Sequence, residues 1–143
     1  MAVFSLPQSV SEAVEQLATY YSHKDIEGLI AITSPQFTGF GSGPDEIVHS
    51  IEEFRTSLIR DFSQCDQVRM EFDDIHIRED IRAAWIIAAC TITAQTSTDT
   101  VALKGRMSAV FRRASSGWQI ALTHFSMPYS DQESGQSYPK KIS

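Results

Sequence analysis

The chain has 143 residues, enough for one ordinary domain whose core can tolerate a cavity. Twelve basic residues against eighteen acidic ones leave a net charge of −6, which argues against a nucleic-acid partner, since that would ask for a basic face. No apolar run approaches the ~20 residues of a membrane span, and the opening Met1 to Pro7 has neither a basic start nor a sustained apolar stretch, so a soluble, unprocessed, cytoplasmic protein with no membrane partner is expected.

Ser9-Val-Ser-Glu12 has the spacing of a capping box, and Val10, Val14, Leu17 and Tyr21 follow at helical intervals, predicting a first helix to about His23. Asp25 can cap a short second helix through Ile32. Thr33-Ser-Pro35 should end it, because proline disfavours a helical residue before it. Gln36 to Gly41 reads as a small strand, followed by the turn Gly41-Ser-Gly-Pro44 and a second short strand at Glu46 to His49. Ser50-Ile-Glu-Glu53 is another capping box, opening a third helix whose stripe is Ile51, Phe54, Leu58, Ile59 and Phe62 and which ends near Gln64.

Four long strands come next. In Gln67 to Arg78, Val68, Met70 and Phe72 share one parity and Ile75 and Ile77 the other, so a bulge near Asp73-Asp74 is expected to keep both sets on the core. Ile81 to Gln95 is apolar at both parities as far as Ile92 and should be buried on both faces. Val101 to Arg113 alternates, with Val101, Leu103, Met107, Ala109 and Phe111 on one side. The turn Ala114-Ser-Ser-Gly117 leads into Trp118 to Ser126. Strands this long favour a strongly curved sheet. Ser130 to Ser143, with the pair Lys140-Lys141, has no buried pattern and should be a mobile tail. Cys65 and Cys90 lack metal-ligand spacing and read as reduced core thiols.

This layout, with Phe37-Thr-Gly-Phe-Gly-Ser-Gly-Pro-Asp-Glu46, Glu52-Glu-Phe54 and Gly117-Trp-Gln-Ile-Ala-Leu-Thr-His-Phe-Ser-Met-Pro128, resembles the SnoaL-like family of the nuclear transport factor two-like, cystatin-like superfamily. The resemblance runs from about Ser9 to Pro128, so residues 1–128 are expected as one domain and 129–143 as the tail. What it implies is an α+β fold: three N-terminal helices on a strongly curved, mostly antiparallel sheet forming a cone with an internal pocket, dimeric through the outside of the sheet. A common fold does not fix the chemistry, because that superfamily holds ketosteroid isomerases, cyclases, dehydratases and binding domains alike.

Ketosteroid isomerase chemistry needs an Asp base, and the matching strand Phe37-Thr-Gly-Phe-Gly carries no carboxylate. A cyclase or dehydratase would want a His and an Asp within reach of one another. His124 is the best single candidate, but its parity is that of Trp118, Ile120 and Leu122, opposite to Gln119, Ala121, Thr123 and Phe125, which by resemblance face the cavity. The expected pocket comprises Tyr21, Phe37, Phe62, Trp85, Ile87, Ala89, Met107, Ala109, Phe111 and Phe125. The expected dimer face comprises Arg106, Val110, Trp118, Ile120, Leu122 and His124, with Arg106 an anion ligand instead if it points inward. No metal or cofactor site is legible. A wall this poor in titratable groups favours a non-catalytic, dimeric module for a small apolar or amphipathic molecule. The alternative is a cofactor-independent isomerase, dehydratase or cyclase acting in the same pocket.

Overall fold

The computed structural model describes residues 5–139; the Met1 to Phe4 start and the Lys140-Lys141 pair lie outside the described residues. The elements are α1 (Val10–Ser22), α2 (Ile26–Ala31), β1 (Thr33–Phe40), β2 (Ile47–Val48), α3 (Ile51–Ser63), β3 (Gln67–Glu79), β4 (Ala83–Gln95), β5 (Thr100–Ala114) and β6 (Gly117–Ser126). Each helix starts where its capping residue satisfies a free backbone donor. Ser9 Oγ accepts from the Glu12 N–H at 3.0 Å, Asp25 Oδ1 from Gly28 at 2.9 Å, and Ser50 Oγ from Glu53 at 3.1 Å. The capping carboxylates reach one residue further back than the simple box requires: Glu12 takes the Gln8 N–H at 2.9 Å and Glu53 the His49 N–H at 2.6 Å. No helix of the described residues is long and apolar enough to cross a membrane.

The six strands form one open, mixed sheet in the order β2-β1-β6-β5-β4-β3, antiparallel throughout except for the parallel pair β1/β6. β1 begins at Thr33, before the proline expected to precede it, because the ladder with β6 breaks between Thr33 and Thr38 and Pro35 sits in that gap, where no amide donor is needed. The three helices cover the concave face: α1 packs on β3 and β6, α3 on β1 and β2, and α2 joins them. The core there is built from Val14, Leu17, Leu29, Phe37, Leu58, Met107, Phe111 and Ile120.

Two bulges curve the sheet. In β3 the register passes from Asp73↔Ala89 to His76↔Ile87, so Asp74 and Ile75 together oppose one residue, and Asp74 takes a positive φ of 50°. Phe72 and Ile77 both pack on the core, as the parity slip requires, but Ile75 is left exposed at the bulge rather than facing inward. The second bulge was not legible. In β6, Val110↔Leu122 is followed by Phe111↔Ile120, leaving Ala121 as an extra residue that turns the strand over. Trp118 and Ile120 therefore point inward, each 2% exposed, and so do Thr123 and Phe125 beyond the bulge.

β4 corrects another expectation. Residues opposite one another in a ladder share a face. Ala84, Ile86 and Ala88 pair with Phe111, Ala109 and Met107, and these are the buried sets. Trp85, Ile87 and Ala89 consequently face outward, with Trp85 48% and Ile87 61% exposed. The strand is buried on one face only.

Candidate functional site

A cavity of about 300 Å³ lies between the three helices and the concave face of the sheet. Leu17 and Tyr21 reach it from α1, Leu29 from α2, Phe54, Ser57, Leu58 and Asp61 from α3, and Val68, Met70, Ile92, Ala94, Leu103, Met107, Ile120, Thr123 and Phe125 from the sheet. Phe37 and Phe54 stack at 4.4 Å on one wall. Gly39, Phe40, Gly41, Ser42, Glu46, Val48, Gln64 and Cys65 complete the lining. Most of the wall is apolar, which is what excludes water and gives fixed polar groups leverage.

Those polar groups converge on one side. Tyr21 Oη donates to Asp61 Oδ2 at 3.1 Å, and the Tyr21 ring meets Phe62 edge-on at 5.0 Å. Burial raises Asp61 above the ordinary carboxyl range; the Tyr21 hydrogen bond and Arg60 oppose this, and the neighbouring Glu46 charge adds to it. Tyr21 is raised as well, first by burial and then by the adjacent Asp61 carboxylate. Glu46 is drawn back over its own loop. Its carboxylate accepts from the Gly43 N–H, its backbone carbonyl from Gly41 at 2.8 Å, and its Oε1 lies 3.3 Å from Arg60. A Cβ on Gly41 or Gly43 would stand 2.8 or 2.7 Å from Glu46 Oε2, so this fold-back needs both glycines.

Of the residues expected to form the pocket, Tyr21, Phe37, Met107 and Phe125 line it. Phe62 packs behind Tyr21, and Ala109 and Phe111 are sealed in the core at 0% exposure rather than lining the cavity. Trp85, Ile87 and Ala89 lie on the opposite side of the sheet, for the ladder reason given above. Of the residues expected on the dimer face, Arg106, Val110 and His124 are on the exposed outer surface and Leu122 is half-buried there. Trp118 and Ile120 are not; the Ala121 bulge carries them inward. Arg106 points away from the cavity, its Nε 3.3 Å from Ser126 Oγ.

Asp61 was missed: the wall, read as poor in titratable groups, carries a carboxyl bonded to the Tyr21 hydroxyl. A signal existed: Phe54, Leu58, Asp61 and Cys65 recur at helical spacing, so a carboxylate interrupts the apolar stripe of α3. Glu46 had no such signal, since its placement depends on the loop. Cys65 lines the cavity with Sγ 3.6 Å from the Asp61 carbonyl, whereas Cys90 is a core thiol pushed by burial up to about 12. Among the described residues no group of His, Cys, Asp or Glu is arranged to hold a metal ion.

A helix-covered open cone with an internal cavity is the architecture of the NTF2-like superfamily. A sequence profile described as "SnoaL-like domain" matches residues 10–130, and the chain belongs to that family. An NTF2-like superfamily protein from Salmonella enterica serovar Typhimurium superposes with a TM-score of 0.78 at 18% identity, covering 90% of this chain and 94% of that one. A candidate dehydratase of the NTF2-like family from Streptomyces avermitilis gives 0.77 at 17% identity, covering 85% and 94%. A candidate scytalone dehydratase from Novosphingobium aromaticivorans gives 0.76 at 9%, covering 94% and 92%. At these identities the likeness establishes the fold alone. No curated protein is significantly similar in sequence.

Proposed function

We propose that the protein binds a small, mainly apolar molecule with one polar end in the cavity of its cone. The observation that carries this is the wall itself: a cavity of about 300 Å³ lined by aromatic and aliphatic side chains, with Tyr21, Asp61 and Glu46 gathered at one side to orient what enters. Ala94 lines the cavity on β4 and is only partly buried, so Ala94→Trp should fill the space while keeping the fold. The neutral fluorophore prodan is expected to bind the wild-type protein with a blue shift and to lose that binding in Ala94→Trp. Equal binding to both proteins would end the proposal.

A second reading, cofactor-independent proton transfer as in an isomerase, dehydratase or cyclase, is favoured by one observation. A carboxyl held high by burial and bonded to a phenol is a pair that can pass a proton to or from a bound carbonyl compound. Under that reading a ketone seated in the cavity exchanges its α-hydrogens in deuterated water, followed by NMR, and Asp61→Asn stops the exchange. Exchange unaffected by Asp61→Asn would remove Asp61 as the base.

The proposed assembly is a dimer through the outer face of the sheet. Trp85, Val110 and Leu122 sit directly opposite one another on three adjacent strands and make an apolar row in contact with water. Sedimentation should give twice the 16.0 kDa chain mass, and Val110→Glu should halve it. A wild-type protein that sediments as a monomer at micromolar concentration removes the dimer.

A further inference from the structure

The charges at the cavity are one-sided. Among the described residues its lining holds two carboxylates, Asp61 and Glu46, and no Lys, Arg or His. Two cations stand nearby: Arg60 is shared with the lining carboxylate Glu46, and Lys24 is turned to backbone carbonyls. Arg60 divides itself between Asp45 at 2.9 Å and Glu46 at 3.3 Å, so one guanidinium faces three carboxylates at this side. Lys24 gives its ammonium to the carbonyls of Phe62 and Cys65, at 3.1 and 2.6 Å, at the end of α3. Asp61 receives the Tyr21 hydroxyl. A half-buried carboxylate that keeps its charge ordinarily gathers several donors or a cation.

From this arrangement we infer that the cavity selects cationic amphiphiles, molecules with an apolar body and a protonated amine. The inference rests on the binding reading above and names its ligand class. An ammonium beside Asp61 brings three N–H donors to a carboxylate that receives one from the protein, and it lies within reach of Glu46 as well. The ring of Tyr21, whose hydroxyl meets Asp61, adds the attraction of an aromatic face for a cation. An anionic ligand of the same shape meets two like charges in a low-dielectric pocket with no basic lining residue to offset them, and is rejected.

Phenylbutylamine, phenylbutanol and phenylbutyrate share one body and differ at the polar end, so prodan displacement and calorimetry with the three separate class from cavity. Wild-type protein is expected to bind the amine about tenfold or more tighter than the alcohol, and the carboxylate not measurably. Asp61→Asn should lower amine affinity about tenfold and leave the alcohol within about twofold. Glu46→Gln, whose partner Arg60 is shared, should lower amine affinity by less, and it tests the class independently should Asp61→Asn fail to fold. Amine affinity should also rise as pH increases from the ordinary carboxyl range and Asp61, held above that range by burial, ionises among Tyr21, Glu46, Arg60 and Cys65, with the amine charged throughout.

An alcohol or carboxylate that binds as tightly as the amine overturns the inference and leaves the cavity reading standing. Amine binding undisturbed by Asp61→Asn and Glu46→Gln, or bound prodan that none of the three compounds displaces, overturns it too. Failure of prodan to bind, or equal binding to Ala94→Trp, brings down the cavity reading and this inference together.

Discussion

The two faces of the long strands obey different rules. On the concave side Ala84, Ile86, Met107, Ala109 and Phe111 are sealed under helices; on the convex side Trp85, Ile87 and Val110, their immediate neighbours in sequence, stand in water. Apolar character does not tell these faces apart, because β4 carries large side chains at both parities. What separates them is the ladder: each inward residue of β5 commits the residue opposite it on β4 to the same side.

The sharpest way to break that contrast is Phe111→Ala. At a fully buried ring this is expected to cost ~3–5 kcal/mol, read as a lowered urea midpoint. A loss under about 1 kcal/mol would mean the concave face is loosely packed. Next is Ala109→Trp, which at 0% exposure should overpack the core and cost ~1–3 kcal/mol or more, visible as a lower melting temperature. A variant that melts like wild type and loses ligand would return Ala109 to the cavity wall.

Asp61 gives a smaller effect, resolved by pH. Its folded pKa is raised above the unfolded value, so over the window between the two the folded state holds a proton that the unfolded state has lost. Stability therefore falls as pH rises through that window, starting at the ordinary carboxyl range. Asp61→Asn, which cannot ionise, should match wild type in acid and melt higher than it near neutral pH. A variant no more stable at neutral pH than wild type would show that the buried carboxylate carries no penalty. Smallest of all is Ile87→Ser on the convex face. At dilutions where the chain is monomeric it should stay within about 0.5 kcal/mol of wild type, and a larger loss would place Ile87 in a core.

Much of the fold was legible because local chemistry declares it. Ser9, Asp25 and Ser50 announce three helices, and the parity slip across Asp73-Asp74 announces a bulge. The facing of β4 needed one more step. The four-residue loop from Thr96 to Asp99 sets Gln95 against Thr100, and that register puts Ala84, Ile86 and Ala88 beside the inward row of β5. The β6 bulge was different in kind: it falls on Ala121, between Ile120 and Leu122, with no glycine or polar residue to mark it. For the site, Tyr21, Phe37, Met107 and Phe125 followed from periodicity and resemblance. Asp61 needed its charge to be read as a break in a stripe, and Glu46 needed a loop whose shape only tertiary contacts define.

An open sheet leaves two borders where further strands can add, and growth along them leads to fibres. Here one border is β2, only two residues long, and the other is β3, which carries Arg69, Glu71 and Asp73 and is kinked where Asp74 takes its positive φ. Neither offers a long, flat, uncharged run of free amides and carbonyls. Growth edge to edge is thus disfavoured at both borders, whatever the concentration of the chain.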